Sequence, residues 1–262
     1  MPSDMKSLFT TPLLSGKGKM EFASCLMKVK KADTRQFDRI SVREWVEGNM
    51  QDPMVRNIFY SLLRAVNYVV GPDLPAAGPA LNQLQNALKG ALYLDRGWGE
   101  LIEELRKKAS GLGVQFVANT KVTSIDTREG VVRQVLCEDG TKIDTLHVIL
   151  ATSPSIANEL VPFAEKTSLH TWKEQAIEVT AACLDVALKR LPKPKQQFAY
   201  GIDQTVLFSN YSRAANLSDD GAQVISLIKY QGKESAPLQD LQELEGVLDL
   251  MQPGWLCEGC PK

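Results

Sequence analysis

The chain has 262 residues and a formal net charge of -1, with 44% hydrophobic and 23% charged residues, which is typical of a folded globular protein. A net charge this close to zero excludes a molecule that binds nucleic acid through its overall charge. No run approaches the roughly 20 apolar residues of a membrane-spanning helix. We do not expect the first sixteen residues to form a secretory signal peptide, because they lack a long apolar stretch.

Cysteine usage favours a reducing compartment, which we take to be the cytoplasm. The five cysteines are irregularly spaced and odd in number, so they form a poor disulfide framework. Cys257 and Cys260 form a C-x-x-C pair, but a structural metal site needs a second ligand pair at suitable spacing. We therefore predict no metal site and an incidental cysteine pair, with thiol-redox chemistry as the weaker alternative.

The first forty residues are rich in basic side chains. A solvated helical face is one interpretation, and a surface for anionic lipid or a partner protein is another, which leaves peripheral membrane contact open. The basic residues, opposed by only four acids, are Lys6, Lys17, Lys19, Lys28, Lys30, Lys31, Arg35 and Arg39.

Several helices can be predicted in the first ninety residues. The spacing of Ser41 and Glu44 predicts a capping box, and Asp52 followed by Pro53 predicts the start of the next helix. Six apolar residues then recur at helical spacing: Val55, Ile58, Phe59, Leu62, Leu63 and Val66. Residues 71–79, with three prolines and two glycines, predict a loop, followed by a helix near 81–89 and a short strand at 91–94.

The segment from Trp98 to Pro154 has the clearest pattern. An amphipathic helix begins at Trp98 and ends at Gly113, and residues 114–118 then predict a strand, as in half of a parallel crossover unit. Residues 121–126 and 131–136 predict a hairpin, with a second turn at Asp139 and Gly140. The apolar run at 146–151 is typical of a strand buried on both faces.

The remainder predicts a separate antiparallel sheet and a final helix. A short helix is expected at 156–161, and strands are expected at 180–188, 206–208 and 224–228. An amphipathic helix is expected at 238–251.

An ordered set of residues resembles the second half of the FAD domain in the amine oxidase and phytoene desaturase superfamily of flavoproteins. In that family a glycine-led helix precedes a strand, a hairpin and a final apolar strand that ends in a small residue and proline. The matching residues are Gly97, Trp98, Leu101, Leu105, Ala109, Gly113, Val114, Val122, Ile125, Val131, Val135, Asp139, Gly140, Val148, Ile149, Ala151 and Pro154. The chain departs from the family at Arg96, where a second glycine is usual, and an arginine suits that turn only without a positive φ.

The resemblance implies a two-lobed α/β fold. A partial FAD- or NAD(P)-binding Rossmann-like domain would be interleaved with a substrate domain of mixed helices and antiparallel sheet. We expect the helical part of the substrate domain at 1–90, the returning half of the FAD domain at 91–165, the substrate-domain sheet at 166–236, and a helix with the tail at 237–262. No G-x-G-x-x-G phosphate-binding unit occurs in the sequence, so the chain is expected to be truncated relative to the family.

The resemblance also implies FAD as cofactor and two partial contacts with it. The backbone at Lys121 and Val122 would meet the adenine, and Ala151, Thr152 and Ser153 would end a central strand beside the FAD. The flavin carries the chemistry in such proteins, so no catalytic side chain can be nominated.

The resulting hypothesis is an FAD-dependent oxidoreductase, of dehydrogenase, desaturase or amine-oxidase type, acting on an apolar or amine substrate. Helices between residues 41 and 70 would help to wall the substrate pocket. The alternative is a non-catalytic fragment or remnant that binds a partner chain supplying the missing dinucleotide-binding unit.

Overall fold

The structure, a computed structural model, describes residues 10–232 and 236–256, so the C-x-x-C pair lies outside the described residues. The chain divides into two compact units. The first unit contains residues 1–102 and 179–262, and the second contains residues 103–178. No helix in the described part of the chain is long and apolar enough to cross a membrane.

Between residues 16 and 87 the first unit contains four α-helices, and local side-chain caps set the starts of the first three. The predicted capping box is confirmed, since Glu44 N–H donates to the Ser41 hydroxyl and the Ser41 N–H donates to the Glu44 carboxylate. The Asp52 carboxylate accepts from two backbone N–H groups, as its position before Pro53 predicts. The helices are α1 (Gly16–Lys31), α2 (Val42–Asn49), α3 (Pro53–Asn67) and α4 (Ala77–Ala87).

One apolar core joins these four helices. The edge of the Phe22 ring packs on Phe59 with ring centroids 5.5 Å apart, and Trp45 lies 6.3 Å from the same ring. Helix α4 starts four residues earlier than predicted, because Ala77 and Ala80 are fully or almost fully buried and Pro79 lies in the first turn, where its missing N–H costs no hydrogen bond. The predicted apolar face of α3 contributes Val55, Ile58, Phe59 and Leu63 to this core.

The first unit also contains the predicted antiparallel sheet. Its strands are β4 (Ala181–Leu188), β5 (Phe198–Tyr200), β6 (Val206–Asn210) and β7 (Gln223–Tyr230), in the spatial order β4-β7-β6-β5. A final helix, α8 (Pro237–Met251), covers one face of this sheet. The core between them consists of Phe208, Ile225, Leu227, Leu244 and Leu248, with smaller contributions from the strand ends.

The alternation of side chains along the strands assigns two faces to this sheet. Ile225 and Leu227 face helix α8, so Ser226, Ile228 and Tyr230 face the opposite side. Tyr200, which pairs with Leu207 of β6, lies on that opposite side too. The sheet therefore turns a partly polar, tyrosine-bearing face away from α8.

The second unit is built on a three-stranded antiparallel sheet. Its strands are β1 (Val122–Arg128), β2 (Val131–Cys137) and β3 (Lys142–Asp144), in the order β1-β2-β3. Helix α5 (Trp98–Gly111), of which residues 103–111 belong to this unit, precedes them, while α6 (Pro154–Leu160) and α7 (Ser168–Gln175) follow. The predicted hairpin is present as β1 and β2, and the predicted short helix after it is present as α6. Helix α6 packs against β1.

Three predicted strands are wrong in the structure: residues 91–94, 114–118 and 146–151 have no strand structure. A strand needs a neighbour to bond its backbone, and no described strand pairs with these segments. Most of their side chains are exposed instead, with Phe116 at 54% and Ile149 at 95% of full exposure. The parallel crossover expected at 98–118 is thus absent from the described residues, although its helix is present.

Arg96 adopts a left-handed backbone conformation, although the sequence indicates that an arginine would suit this turn only without a positive φ. Its φ is 64°, and Gly97 follows with φ 76°. The turn keeps this geometry because the Arg96 N–H donates to the Asn216 carbonyl at 2.7 Å, while the guanidinium reaches Glu100 at 3.4 Å. An arginine here therefore carries a backbone cost that a glycine would avoid.

Lys229 forms a partly buried ionic network on the α8 face of the sheet. Its ammonium lies 2.9 Å from Asp240, which is 5% exposed, and 2.5 Å from Glu243. Hydrogen bonding to the Lys229 ammonium lowers the pKa of both carboxyl groups below their usual range. The same contacts, first that with Glu243, raise the pKa of Lys229.

We expect the Lys229→Met variant to have a lower free energy of unfolding than the wild type at neutral pH. This difference from the wild type should become smaller as the solution is acidified. The carboxyl pKa values are lower in the folded state, so their stabilisation is present above the unfolded-state values near 4 and is lost as pH falls through the folded values. Urea unfolding between pH 7 and 3 measures the difference between the wild type and the variant. This difference should shrink at low pH.

The matched control for this experiment is Lys31→Met, an exposed lysine at the end of α1. Its stability should stay close to that of the wild type at each pH. If the difference in free energy of unfolding between wild type and Lys229→Met did not change with pH, the two carboxylates would not stabilise the fold through Lys229.

Candidate functional site

The predicted adenine contact lies at the start of strand β1, the edge strand of the three-stranded sheet. Lys121 is exposed, and its ammonium lies 3.4 Å from the Glu138 carboxylate. Its carbonyl accepts a hydrogen bond from the Glu138 N–H at 2.9 Å. The main chain of Lys121 is thus used within the sheet, and its side chain is paired at the surface.

Val122 has a different backbone environment. Val122 lies opposite Cys137, whose N–H donates across the turn to the Thr141 carbonyl at 2.9 Å. Because hydrogen-bonded and non-bonded pairs alternate in an antiparallel ladder, the Val122–Cys137 pair is of the non-bonded kind. The Val122 N–H and C=O therefore point to the open edge, where one donor and one acceptor stand side by side.

The second predicted contact, residues 151–153, directly precedes helix α6 and lies at the surface. Ala151, Thr152 and Ser153 are all exposed. The Ser153 hydroxyl caps the helix by accepting from the Ile156 N–H at 3.4 Å. Both predicted groups thus belong to the second unit, in which α6 packs on β1, and their role in cofactor binding stays a prediction.

The residues present at β1 fit the adenine end of a flavin nucleotide. An adenine edge needs one hydrogen-bond donor and one acceptor, and the open backbone of Val122 offers both without a special side chain. The three small residues before α6 leave room for close approach of a ligand to the backbone. Among residues 10–232 and 236–256, no group of three or more His, Cys, Asp and Glu could hold a metal ion.

A polar depression of about 470 Å³ also lies on the second unit. Its lining includes Asp126, Arg128, Arg133 and Asp144, but neither Val122 nor residues 151–153. Gln134 and Asp144 bond one another across it at 2.7 Å. Most of its lining side chains are charged or polar, so it does not resemble a site for an apolar substrate.

The strongest candidate for a substrate site is a cavity of about 560 Å³ in the first unit. This volume is in the usual range for small-molecule sites. One wall comes from helices α1, α3 and α4, and includes Leu62, Ala65 and Val66 of the predicted pocket helices. The other wall comes from β5 and the segments beside it, and consists of Lys195, Gln197, Phe198, Tyr200 and Arg213.

A group of tyrosines extends from this cavity across the uncovered sheet face. The Tyr93 and Tyr211 rings are 6.0 Å apart, and the Tyr68 and Tyr230 rings are 5.7 Å apart in an edge-on arrangement. Burial, followed by the proximity of Tyr93 and Tyr211, raises the pKa of Tyr200, which belongs to the cavity as well. Burial is also the main cause of the raised pKa of Tyr93. Tyr93 and Tyr200 therefore remain neutral at physiological pH.

Tyr230 is the most buried member of the group, with 2% of its surface exposed. Its hydroxyl has no hydrogen-bond partner among the described residues. Burial raises its pKa far above the usual value, and the nearby Tyr68 hydroxyl adds to the effect. The Arg64 guanidinium acts in the opposite direction but is the weaker influence.

The residues on the sheet side of the cavity carry no sequence signal that would have identified them. Lys195 and Gln197 lie in a proline- and lysine-rich connection, and Arg213 lies in the single turn of helix Tyr211–Arg213. Lys195, Gln197 and Arg213 lie near the helices only because strands β5 and β6 pair at the edge of the sheet. The cavity's helical wall, in contrast, follows the apolar spacing of α3 that the sequence displays.

The chain belongs to the flavin containing amine oxidoreductase family, whose sequence profile matches residues 1–187. This confirms the family resemblance seen in the segment from Gly97 to Pro154. No curated protein matches the chain in sequence.

Solved structures share the fold at low sequence identity. An oxidoreductase from Methanosarcina mazei is 14% identical, with a TM-score of 0.74, over 96% of this chain and 61% of that chain. A putrescine oxidase bound to putrescine is 14% identical, with a TM-score of 0.66, over 93% of this chain and 60% of its own. A putative protoporphyrinogen oxidase from Exiguobacterium is 18% identical, with a TM-score of 0.65, over 95% and 59% of the two chains.

The likeness confirms the mixed α/β fold class. The chain spans about 60% of the length of the structures it resembles, as the matched 61%, 60% and 59% of those chains show. Their individual substrates therefore do not transfer to this chain by likeness alone.

We expect Tyr230→Phe to raise the free energy of unfolding at pH 7 by about 1 kcal/mol, because it removes a buried hydroxyl without a partner among the described residues. The raised pKa has a second consequence. The wild type should lose stability as pH rises above about 10, where the unfolded chain ionises this phenol and the folded chain does not.

Absorbance titration of the phenols, combined with urea unfolding at pH 7 to 11, measures both effects. The exposed Tyr68 provides the control variant Tyr68→Phe, which should keep most of the wild-type loss of stability at alkaline pH, because burial is the main cause of the raised pKa of Tyr230. Ionisation of Tyr230 near pH 10 in the folded protein would contradict the raised pKa of this buried phenol.

Proposed function

We propose that the chain forms part of an FAD-dependent oxidoreductase that removes hydride from an apolar or amine substrate. The single observation that carries the proposal is the family match across residues 1–187. When bound, FAD supplies the hydride-accepting chemistry, and the protein positions the substrate and excludes water.

The described residues divide this work between the two units. In the second unit, the open backbone of Val122 would hold the adenine, and residues 151–153 would lie near the rest of the cofactor. In the first unit, the apolar cavity would bind the substrate and shield it from water. No acid or base is assigned, since hydride removal to a flavin needs none from the protein.

The first test is nucleotide binding to the purified chain, measured by calorimetry at protein concentrations that detect weak complexes. FAD and ADP should bind, and FMN, which lacks adenine, should not. Val122→Pro removes the outward N–H, so it should weaken FAD binding about fivefold to tenfold, the value of one hydrogen bond.

Lys142→Pro is the matched control. Lys142 begins the opposite edge strand β3 and lies beside Thr141, whose carbonyl makes the ladder bond to Cys137. Its N–H therefore points to the other open edge, and the variant should bind FAD as the wild type does. Circular dichroism confirms that both variants fold. Equal binding of FMN and FAD, or no binding of any nucleotide, would reject the proposal.

A second candidate function is supported by the exposed apolar segments of the second unit. Residues 114–118 and 146–150 place Phe116, Val117, Leu146 and Ile149 at the surface and lack a described strand partner. Open backbone edges with apolar side chains favour pairing with another strand. We propose that a polypeptide supplying the dinucleotide-binding unit of the family covers these segments.

To test this candidate, the chain is co-expressed with the polypeptide encoded immediately upstream of Met1. The two should co-purify, and backbone amide exchange should slow within 114–118 and 146–150. Ile149→Lys should weaken the association at least tenfold, roughly the cost of burying an unpaired charge. Leu238→Lys changes a residue of similar exposure in the first unit and should have no effect. Failure to associate would remove this candidate.

The cysteines support a cytoplasmic location as part of this proposal. Cys25, Cys137 and Cys183 are all free thiols in the described chain. Free thiols persist most readily in reducing compartments.

A further inference from the structure

The cavity in the first unit combines an apolar interior with a basic rim. Eight of its lining residues are apolar side chains of α1, α3 and α4 or the residue after α4, namely Phe22, Leu26, Leu62, Ala65, Val66, Leu84, Ala87 and Leu88. Two are cations on the sheet side, Lys195 and Arg213. Such a division suits a ligand with an apolar body and a polar end.

The two cations are held near one another by the backbone. The Arg213 guanidinium donates to the Lys195 carbonyl, which fixes the arginine beside the segment that carries the lysine. Both side chains belong to exposed residues, so they mark the mouth of the cavity. In the described chain neither of them forms an ion pair, whereas Lys229 on the other sheet face is bridged twice. Their positive charge is therefore available to a ligand.

The charge of the rim discriminates between the two substrate classes that the family resemblance allows. A protonated amine is stabilised by a carboxylate, and no carboxylate is found among the described residues that line this cavity. Lys195 and Arg213 would repel such an amine. A carboxylate would instead gain charge-assisted hydrogen bonds, most readily from the planar guanidinium.

We propose that this cavity binds an apolar molecule bearing a carboxylate, with the apolar body against α3 and α4 and the carboxylate at Lys195 and Arg213. The inference rests on the proposed function only in calling this ligand the substrate. Binding itself depends on the first unit and needs no flavin.

Calorimetry on the full chain without FAD, using three probes of equal length, tests the proposal. The probes are dodecanoate, dodecanol and dodecylammonium, each below its aggregation concentration. Dodecanoate should bind at least tenfold more tightly than dodecanol, and dodecylammonium should bind most weakly. Lys195→Gln combined with Arg213→Gln should reduce the advantage of dodecanoate over dodecanol to threefold or less.

Two further variants keep the test specific. Lys189→Gln combined with Arg190→Gln removes two exposed cations of the same unit that do not line the cavity, and it should leave the tenfold advantage intact. Ala65→Trp fills the apolar wall and should weaken dodecanoate and dodecanol alike, with the fold checked by circular dichroism.

Three outcomes would overturn the proposal: equal or tighter binding of dodecylammonium, no binding of any probe, or binding that Ala65→Trp leaves unchanged. None of them bears on nucleotide binding to Val122, so a failure here is distinct from a failure of the oxidoreductase assignment.

Discussion

The first unit depends on the contact that Arg64 makes between a helix and a sheet. From the last turns of α3, its guanidinium donates to the carbonyls of Gly201 and Gln204 at 2.7 and 3.0 Å. Those carbonyls belong to the connection between β5 and β6, which closes so tightly that a Cβ on Gly201 would collide with the Gln204 carbonyl oxygen. Burial lowers the pKa of Arg64, but a guanidinium keeps its charge in proteins.

This contact determines where the cavity lies. It holds α3 against the edge strand β5, and Ile202 of the same connection packs on the helical core. Near this contact, the cavity lies between the apolar helical wall and the sheet side, where Phe198 and Arg213 line it. The sheet face that carries Tyr200 forms the wall of the cavity opposite the helices. The Arg64 hydrogen bonds thus position both the apolar helical wall of the cavity and the sheet side that carries Lys195 and Arg213.

The fold could be predicted from the sequence where structure is determined locally. The capping residues Ser41 and Asp52 act within their own helices, and three of the four strands of the larger sheet are predicted from their apolar segments. Strand β5, of only three residues, is not predicted. Prediction failed at 91–94, 114–118 and 146–151, because an apolar run indicates a strand only if a partner strand is available. The sheet side of the cavity could not be predicted, since Lys195 and Arg213 meet the helices only through the fold. Arg96 shows the opposite case, in which a tertiary hydrogen bond overrides a local preference.

The outward backbone of Val122 has an evolutionary consequence. Every amino acid except proline presents the same N–H and C=O, so drift at this position would leave the proposed contact intact while erasing any trace of it from the sequence. A binding surface made of main chain can thus outlast the side chains around it. That property agrees with a fold that remains recognisable at 14% identity. It also means that comparing side chains between distant relatives would overlook this part of the molecule.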